Sequence, residues 1–196
     1  MSLRDRLYQS WLLQLQTWAA DGRLVSAGVD ALRLKLGQAT DQLKHIANRL
    51  AKGETRDIPS IEVLPGSAMP GAAGAYASSD NTIYLHANWL ESASNDQIIA
   101  VLNEEFGHHL DAQHNNSDTA GDEGELFAIL LSKETLESLN SDQLKAIRTE
   151  QDQGFLETPG GRKSVEFAVI IGTNTAENLT GTADADTITG GDEGKN

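Results

Sequence analysis

Leu3, Leu7, Trp11, Leu15 and Trp18 recur three or four residues apart, the stripe of an amphipathic helix that the Asp21-Gly22 pair ends near Ala20. Two more helical patterns follow, Leu24 to Leu36 and Leu43 to Ala51, the second closed by Gly53. Together they predict a helical layer over residues 1–57, with the Trp11 and Trp18 stripe as core rather than as a ligand platform. From Ile58 the period changes. Ile61 to Leu64 alternates as a short strand, Pro65 to Gly74 reads as a loop, and Thr82 to Leu85 is rich in β-formers after the Ser79-Asp80-Asn81 turn. Ser94 with Gln97 three residues on forms a capping box opening a helix to about Asp111, and Asn115-Asn116-Ser117 breaks the chain. Helices from about Asp122 to Ser132 and from Ser141 to about Asp152 lead to a final apolar strand, Val165 to Ile171. Helices and strands are segregated rather than alternated, which predicts the α+β class, with residues 58–171 forming one compact unit with the helical layer.

The 196 residues, 39% of them hydrophobic, suffice for one core and an appendage. No run has the roughly 18 consecutive apolar residues of a membrane helix, and Met1 to Arg6 leads into an amphipathic stretch rather than a signal-peptide core. The chain contains no cysteine, so a bound metal must be held by His, carboxylate or carbonyl groups. A net charge of -14 excludes a nucleic-acid binder that works by neutralising phosphates.

The charge is local. Residues 1–57 carry a net +3, residues 58–171 a net -13 and residues 172–196 a net -4. Between Asp96 and Glu125 stand eight carboxylates and three histidines, His108, His109 and His114, with no Lys or Arg. Such a cluster is either a solvated face or a cation site, and spacing must decide between them.

From Gly172 the chain has a nine-residue period: GTNTAENLT, GTADADTIT, then GGDEGKN. Glycine opens each unit, an acid takes the sixth place in the first two (Glu177, Asp186) and an aliphatic the eighth (Leu179, Ile188). This resembles the calcium-binding nonapeptide repeat of the RTX (repeats-in-toxin) family, a parallel β-roll. The resemblance implies Ca²⁺ bound through Asp184, Asp186 and Asp192, an array that continues past Asn196, and poor order for two and a half units alone. It also implies an exported bacterial protein that leaves the cell by type I secretion and works extracellularly.

On the helix after Ser94, Ile98, Ile99, Leu102, Phe106 and Leu110 share one arc, while Glu104, His108 and Asp111 share the opposite one at i, i+4 and i+7, with Glu105 on its flank. His109 falls near the apolar arc and reads as a packed histidine. The segment Glu104-Glu105-Phe106-Gly107-His108 looks like the HExxH zinc helix with Glu in place of the first His, and Thr82 to Leu85 precedes it as the cleft-lining strand does in zincins.

This resemblance to zincin-like metallopeptidases, over about residues 58–135, implies a divalent metal, Zn²⁺ or another transition metal, on Glu104 and His108. It implies Glu105 as the general base and a peptide or protein substrate, which could be the chain itself. A third ligand has two sources. His114 has the spacing of the third metzincin histidine, though no Met-turn follows; Asp122 or Glu125, entering the next helix, would match gluzincins and is favoured. Asp122 capping that helix, with Glu125 completing the box, is the plainer alternative. Tyr76 and Tyr84 are candidates to stabilise an oxyanion. The expected function is thus a zinc-dependent metalloendopeptidase with a calcium-binding tail. A non-catalytic extracellular calcium-binding or adhesion module is the alternative, because a carboxylate ligand makes a metal's water less acidic. An intracellular domain that processes its own chain or a partner precursor is a third.

Overall fold

The structure, a computed structural model, describes residues 3–35, 37–132 and 135–169. The nonapeptide tail, with Asp184, Asp186 and Asp192, and the last two residues of the expected strand Val165 to Ile171, lie outside them. The class is α+β: among the described residues there are seven α-helices and one five-stranded sheet.

Three helices come first, α1 (Leu3–Ala20), α2 (Arg23–Ala31) and α3 (Gln38–Ala51), the second stopping at Ala31 where its pattern was expected to run to Leu36. Trp11 and Leu15 are fully buried, and the Trp11 ring stands edge-on to Phe106 at 5.9 Å. Its indole N–H donates to Asn103 Oδ1 at 2.9 Å, tying this layer to the central helix α5 (Asn95–His114) across 92 residues of sequence.

The sheet runs β1 (Ser60–Leu64), β3 (Thr82–His86), β2 (Ala72–Ala77), β5 (Gly161–Val169), β4 (Gln153–Thr158). Among the described residues only the β1–β3 pair is parallel. Two of these strands were not expected. Part of the presumed Pro65 to Gly74 loop belongs to β2, whose Ala-Ala-Gly-Ala-Tyr-Ala sequence has little β-propensity. Packing overrides propensity here: a Cβ on Gly74 would lie 2.6 Å from both Val101 and Glu105, so small residues let α5 press against the strand. β4 is the second. Helix α7 (Ser141–Thr149) ends three residues before the expected Asp152, leaving Asp152 in the loop that enters the β4–β5 hairpin.

A short helix, α4 (Ala87–Ser92), links β3 to α5. The Ser94–Gln97 capping box opens α5 as its spacing predicts, but the helix continues past Asp111 to His114. Helix α6 (Glu123–Leu131) packs against the arc of α5 that carries Glu104 and His108. Consequently α5 is buried nearly all round: Glu105, Phe106, His108, His109, Leu110 and Asp111 are all inside. The main core joins α1–α3, α5 and α6 to one face of the sheet, and a smaller cluster including Leu64, Met69, Tyr84 and Val165 covers the other.

Replacing Asn103 with Ala leaves the Trp11 indole N–H buried without an acceptor. We expect a loss of about 1–3 kcal/mol in urea unfolding, and an unchanged midpoint would show that this bond does not hold the helical layer to α5.

Candidate metal centre

The site is built around His108, which has no exposed surface. Its placement depends on two glycines. Where α5 meets α6, a Cβ on Gly107 would stand 2.8 Å from Gly124 Cα, and one on Gly124 would stand 2.5 Å from His108 Nε2. Only backbone without side chains fits, so the start of α6 lies directly on the imidazole.

Nδ1 of His108 has two carboxylate neighbours, Glu123 Oε1 and Glu166 Oε2, each at 2.9 Å. One proton cannot serve both. With Nδ1 bonded to Glu123, Glu166 Oε2 is left buried and without a partner. When Nδ1 carries the only ring proton the Nε2 lone pair is free, and Nε2 is likewise buried without a hydrogen-bond partner. A carboxylate that fixes the far nitrogen of an imidazole is the usual outer partner of a metal-ligating histidine.

Nε2 faces acids. Ligand atoms of Glu104, His108 and Asp122 lie within 4.8 Å of one another. Asp122 Oδ1 is 3.8 Å from Nε2, and Asp152 Oδ2 is 3.5 Å from it. Asp122 also caps α6, its Oδ1 accepting the Glu125 N–H at 2.6 Å, while its own N–H donates to the Ile147 carbonyl. Capping and facing the imidazole are therefore compatible roles of one side chain.

The other expected residues fall elsewhere. Glu125 groups with Asp122 and Glu150, at the end of α7. His114 donates from Nδ1 to the Leu110 carbonyl at 2.7 Å, at the last turn of α5, and is in none of the possible metal-holding groups among the described residues. Because Asp111 stays helical and anchors the next turn through Asn115 and Thr119, the chain does not bend there to return His114. Glu105 is buried against the sheet: Oε1 accepts the Ala168 N–H at 3.2 Å, and Oε2 has no partner. His109 is packed, stacked on Phe106 at 5.5 Å and 3.2 Å from the Tyr76 hydroxyl. Tyr84 lies in the cluster on the far face of the sheet with its hydroxyl donating to Asp80, so it is turned away from His108.

Three contributors were not foreseen. Glu123 stood unremarked between two favoured acids. Glu166 carried a legible signal, as a lone carboxylate in the apolar run Val165 to Val169 that alternation aims at α5 together with Ala168. Asp152 carried none, because it was expected to end a helix.

Burial sets the electrostatics. It pushes the carboxyls of Asp122 and Glu123 up to about 7, even against the opposing pull of His108, and that of Glu125 to about 6. Burial also raises Glu104, which Asp122 and Glu105 raise further, and Glu105. For His108 burial works downward, but Glu123 and Glu166 outweigh it and hold the imidazole well above its ordinary range. Burial lowers His109 to about 4.

These shifts fix a sign for the metal-free protein. A carboxyl raised in the fold binds more protons there than in the unfolded chain, so its contribution to stability is full at low pH and is lost as pH rises toward about 7. The raised His108 acts in the same direction; the lowered His109 opposes it, as do the lowered carboxyls of Asp21 and Asp80 in more acidic solution. Chelated protein should therefore melt at a lower temperature at about pH 8 than at about pH 5, with added zinc raising the higher-pH value. Equal melting temperatures without metal would contradict this account of the cluster.

No family model, curated protein or solved structure matches the chain, so the functional reading stands on the geometry of this site and on the sequence motifs.

Proposed function

We propose that the protein is a metal-dependent peptidase of zincin-like design, in which Glu104, His108 and Asp122 hold a divalent transition metal, Zn²⁺ first among the candidates. The observation that carries this reading is the unpartnered, fully buried Nε2 of His108, facing Glu104 and Asp122 while Glu123 pins the opposite nitrogen. A donor set of one imidazole and carboxylates, without thiolate, suits zinc and its first-row neighbours. When bound, the metal supplies a Lewis acid that polarises a carbonyl and makes its water more acidic.

The chain's own residues do the rest. Glu105, next to Glu104 on α5, keeps Oε2 free of partners, and burial makes it a stronger base than an exposed carboxylate, as a proton acceptor at neutral pH requires. Both edges of β2 are occupied, by β3 and by β5, so a peptide substrate would add to this strand only in the place that β5 now fills. Export and a calcium-binding tail remain part of the proposal on the nonapeptide period alone.

One observation favours the non-catalytic alternative. Glu105 and His108 have no exposed surface, and the cavity of about 340 Å³ at Gln14, Trp18, Arg23 and Leu131 lies apart from them, between α1 and the end of α6. A site closed in this way would hold a metal without turning over substrate.

Metal analysis and proteolysis assays separate the two readings. We expect about one zinc per chain, lost in Asp122→Ala, and hydrolysis of casein or of the chain itself. Because Asp152 stands over the site, cleavage is to be measured with Asp152 intact and in Asp152→Asn. In whichever form cleaves, Glu105→Gln should keep the metal and lose activity by about 10²–10⁴-fold. Absence of a bound transition metal, or of Glu105-dependent cleavage in both forms, overturns the peptidase reading.

A further inference from the structure

Asp152 lies outside the motif on α5 and α6, yet it reaches the same nitrogen. It is buried, with Oδ2 lacking any hydrogen-bond partner and standing 3.5 Å from His108 Nε2. Its position is built: the Asp152 carbonyl accepts the Phe167 N–H at 2.9 Å, which fixes the loop between α7 and β4 to strand β5. Gln153, the next residue, pairs with Glu166, and Glu166 in turn pairs with Tyr76 of β2.

Two species could occupy the space that Nε2, Asp122 and Asp152 share. A proton on Nε2 would draw one carboxylate to about 2.7–2.9 Å, the length of a charge-assisted bond. Neither comes that close; Asp152 stands off at 3.5 Å and Asp122 at 3.8 Å. These separations fit better to ligands on one ion, since metal–ligand bonds of about 2.0–2.1 Å set tetrahedral ligand atoms about 3.3 Å apart. Asp152 stands outside the group in which Glu104, His108 and Asp122 lie within 4.8 Å of one another, so it would complete the set by moving toward the ion.

We propose that Asp152 is a fourth ligand of the metal, so that the ion clamps the β4–β5 hairpin onto α5 and leaves no coordination position open until the hairpin moves. The proposal rests on the metal reading above and deepens it. Four protein ligands make a closed, structural kind of site, whereas catalysis needs a position for water or substrate. The same hairpin supplies the Ala168 N–H that occupies Glu105 Oε1, and its strand β5 fills the edge of β2. Metal, base and strand edge are therefore covered by one continuous segment, from Asp152 to Val169. Displacing that segment exposes all three at once.

The test uses the full chain loaded with Co²⁺ in place of zinc, whose visible spectrum reports coordination, together with hydrogen exchange. In the wild type the spectrum should not respond to azide, and amide exchange in residues 153–169, Ala168 included, should slow when metal binds. Asp152→Asn, with folding checked by circular dichroism, should bind metal about tenfold or more weakly, acquire an azide response, and lose the metal-dependent protection. If wild type binds metal but already responds to azide with no protection of the hairpin, Asp152 is not a ligand, and the peptidase reading stands without it. Should Asp152→Asn misfold, the two wild-type measurements decide the proposal alone. Wild type that is folded and binds no metal overturns both readings.

Discussion

An imidazole placed where water cannot reach, with acids on both of its nitrogens, is the constraint to which the surrounding structure answers. His108 draws Glu123 and Glu166 to Nδ1 and Asp122 and Asp152 toward Nε2, and these four come from the α6 cap, the first turn of α6, the loop after α7 and strand β5. Three elements besides α5 must therefore converge on one ring. The convergence requires backbone contact between Gly107 and Gly124, and a strand of small residues, alanine and glycine, where α5 rests on it. Trp11 and Asn103 hold α5 from the other side. Core packing and site geometry are one problem in this molecule, since a shift of α5 that relieves one contact breaks the other.

So many buried acids around one base are a poor way to stabilise a fold. Removing each charge from water costs several kcal/mol in practice, and mutual attraction repays this only with complete hydrogen bonding. Here the bonding is incomplete: Glu105 Oε2, His108 Nε2, Asp152 Oδ2 and Glu166 Oε2 are all buried without partners. Native interiors leave few such atoms, and four within one site point to something the site is shaped to hold. Under the metal proposal, a divalent cation at Nε2 would answer the charge on that side of the ring and the unused lone pairs of Nε2 and Asp152 together. A simple solvated acidic face, the plain interpretation of the sequence, does not agree with side chains that are buried on a central helix.

Much of this was legible in the chain and some was not, for reasons that differ by residue. The helix periods, the Ser94–Gln97 box and the α+β class could be read because each is a local pattern with a local cause. Glu104, His108 and Asp122 could be brought together on paper because i, i+4 spacing and a following helix cap are also local. The rest depends on long-range contact. Strand β2 looks like a loop until α5 is seen to demand small residues there; Glu105 looks like a flank position until β5 closes over it; α7 looks long enough to contain Asp152 until it stops at Thr149. Spacing along one helix says which side chains share a face, but not what will be packed on that face.

That last point bears on how the two functional readings relate. Without β5, the order β1–β3–β2 would leave β2 as an edge, with unpaired N–H and C=O groups beside Glu105 and the imidazole. An exposed edge is a template for any extended chain, and β5 is an extended chain in that place, antiparallel to β2. The segment that makes the site look structural is therefore the shape a substrate would take. Closed and catalytic need not be competing descriptions of the protein: under the peptidase reading they are the same edge with different occupants, one of them covalently supplied.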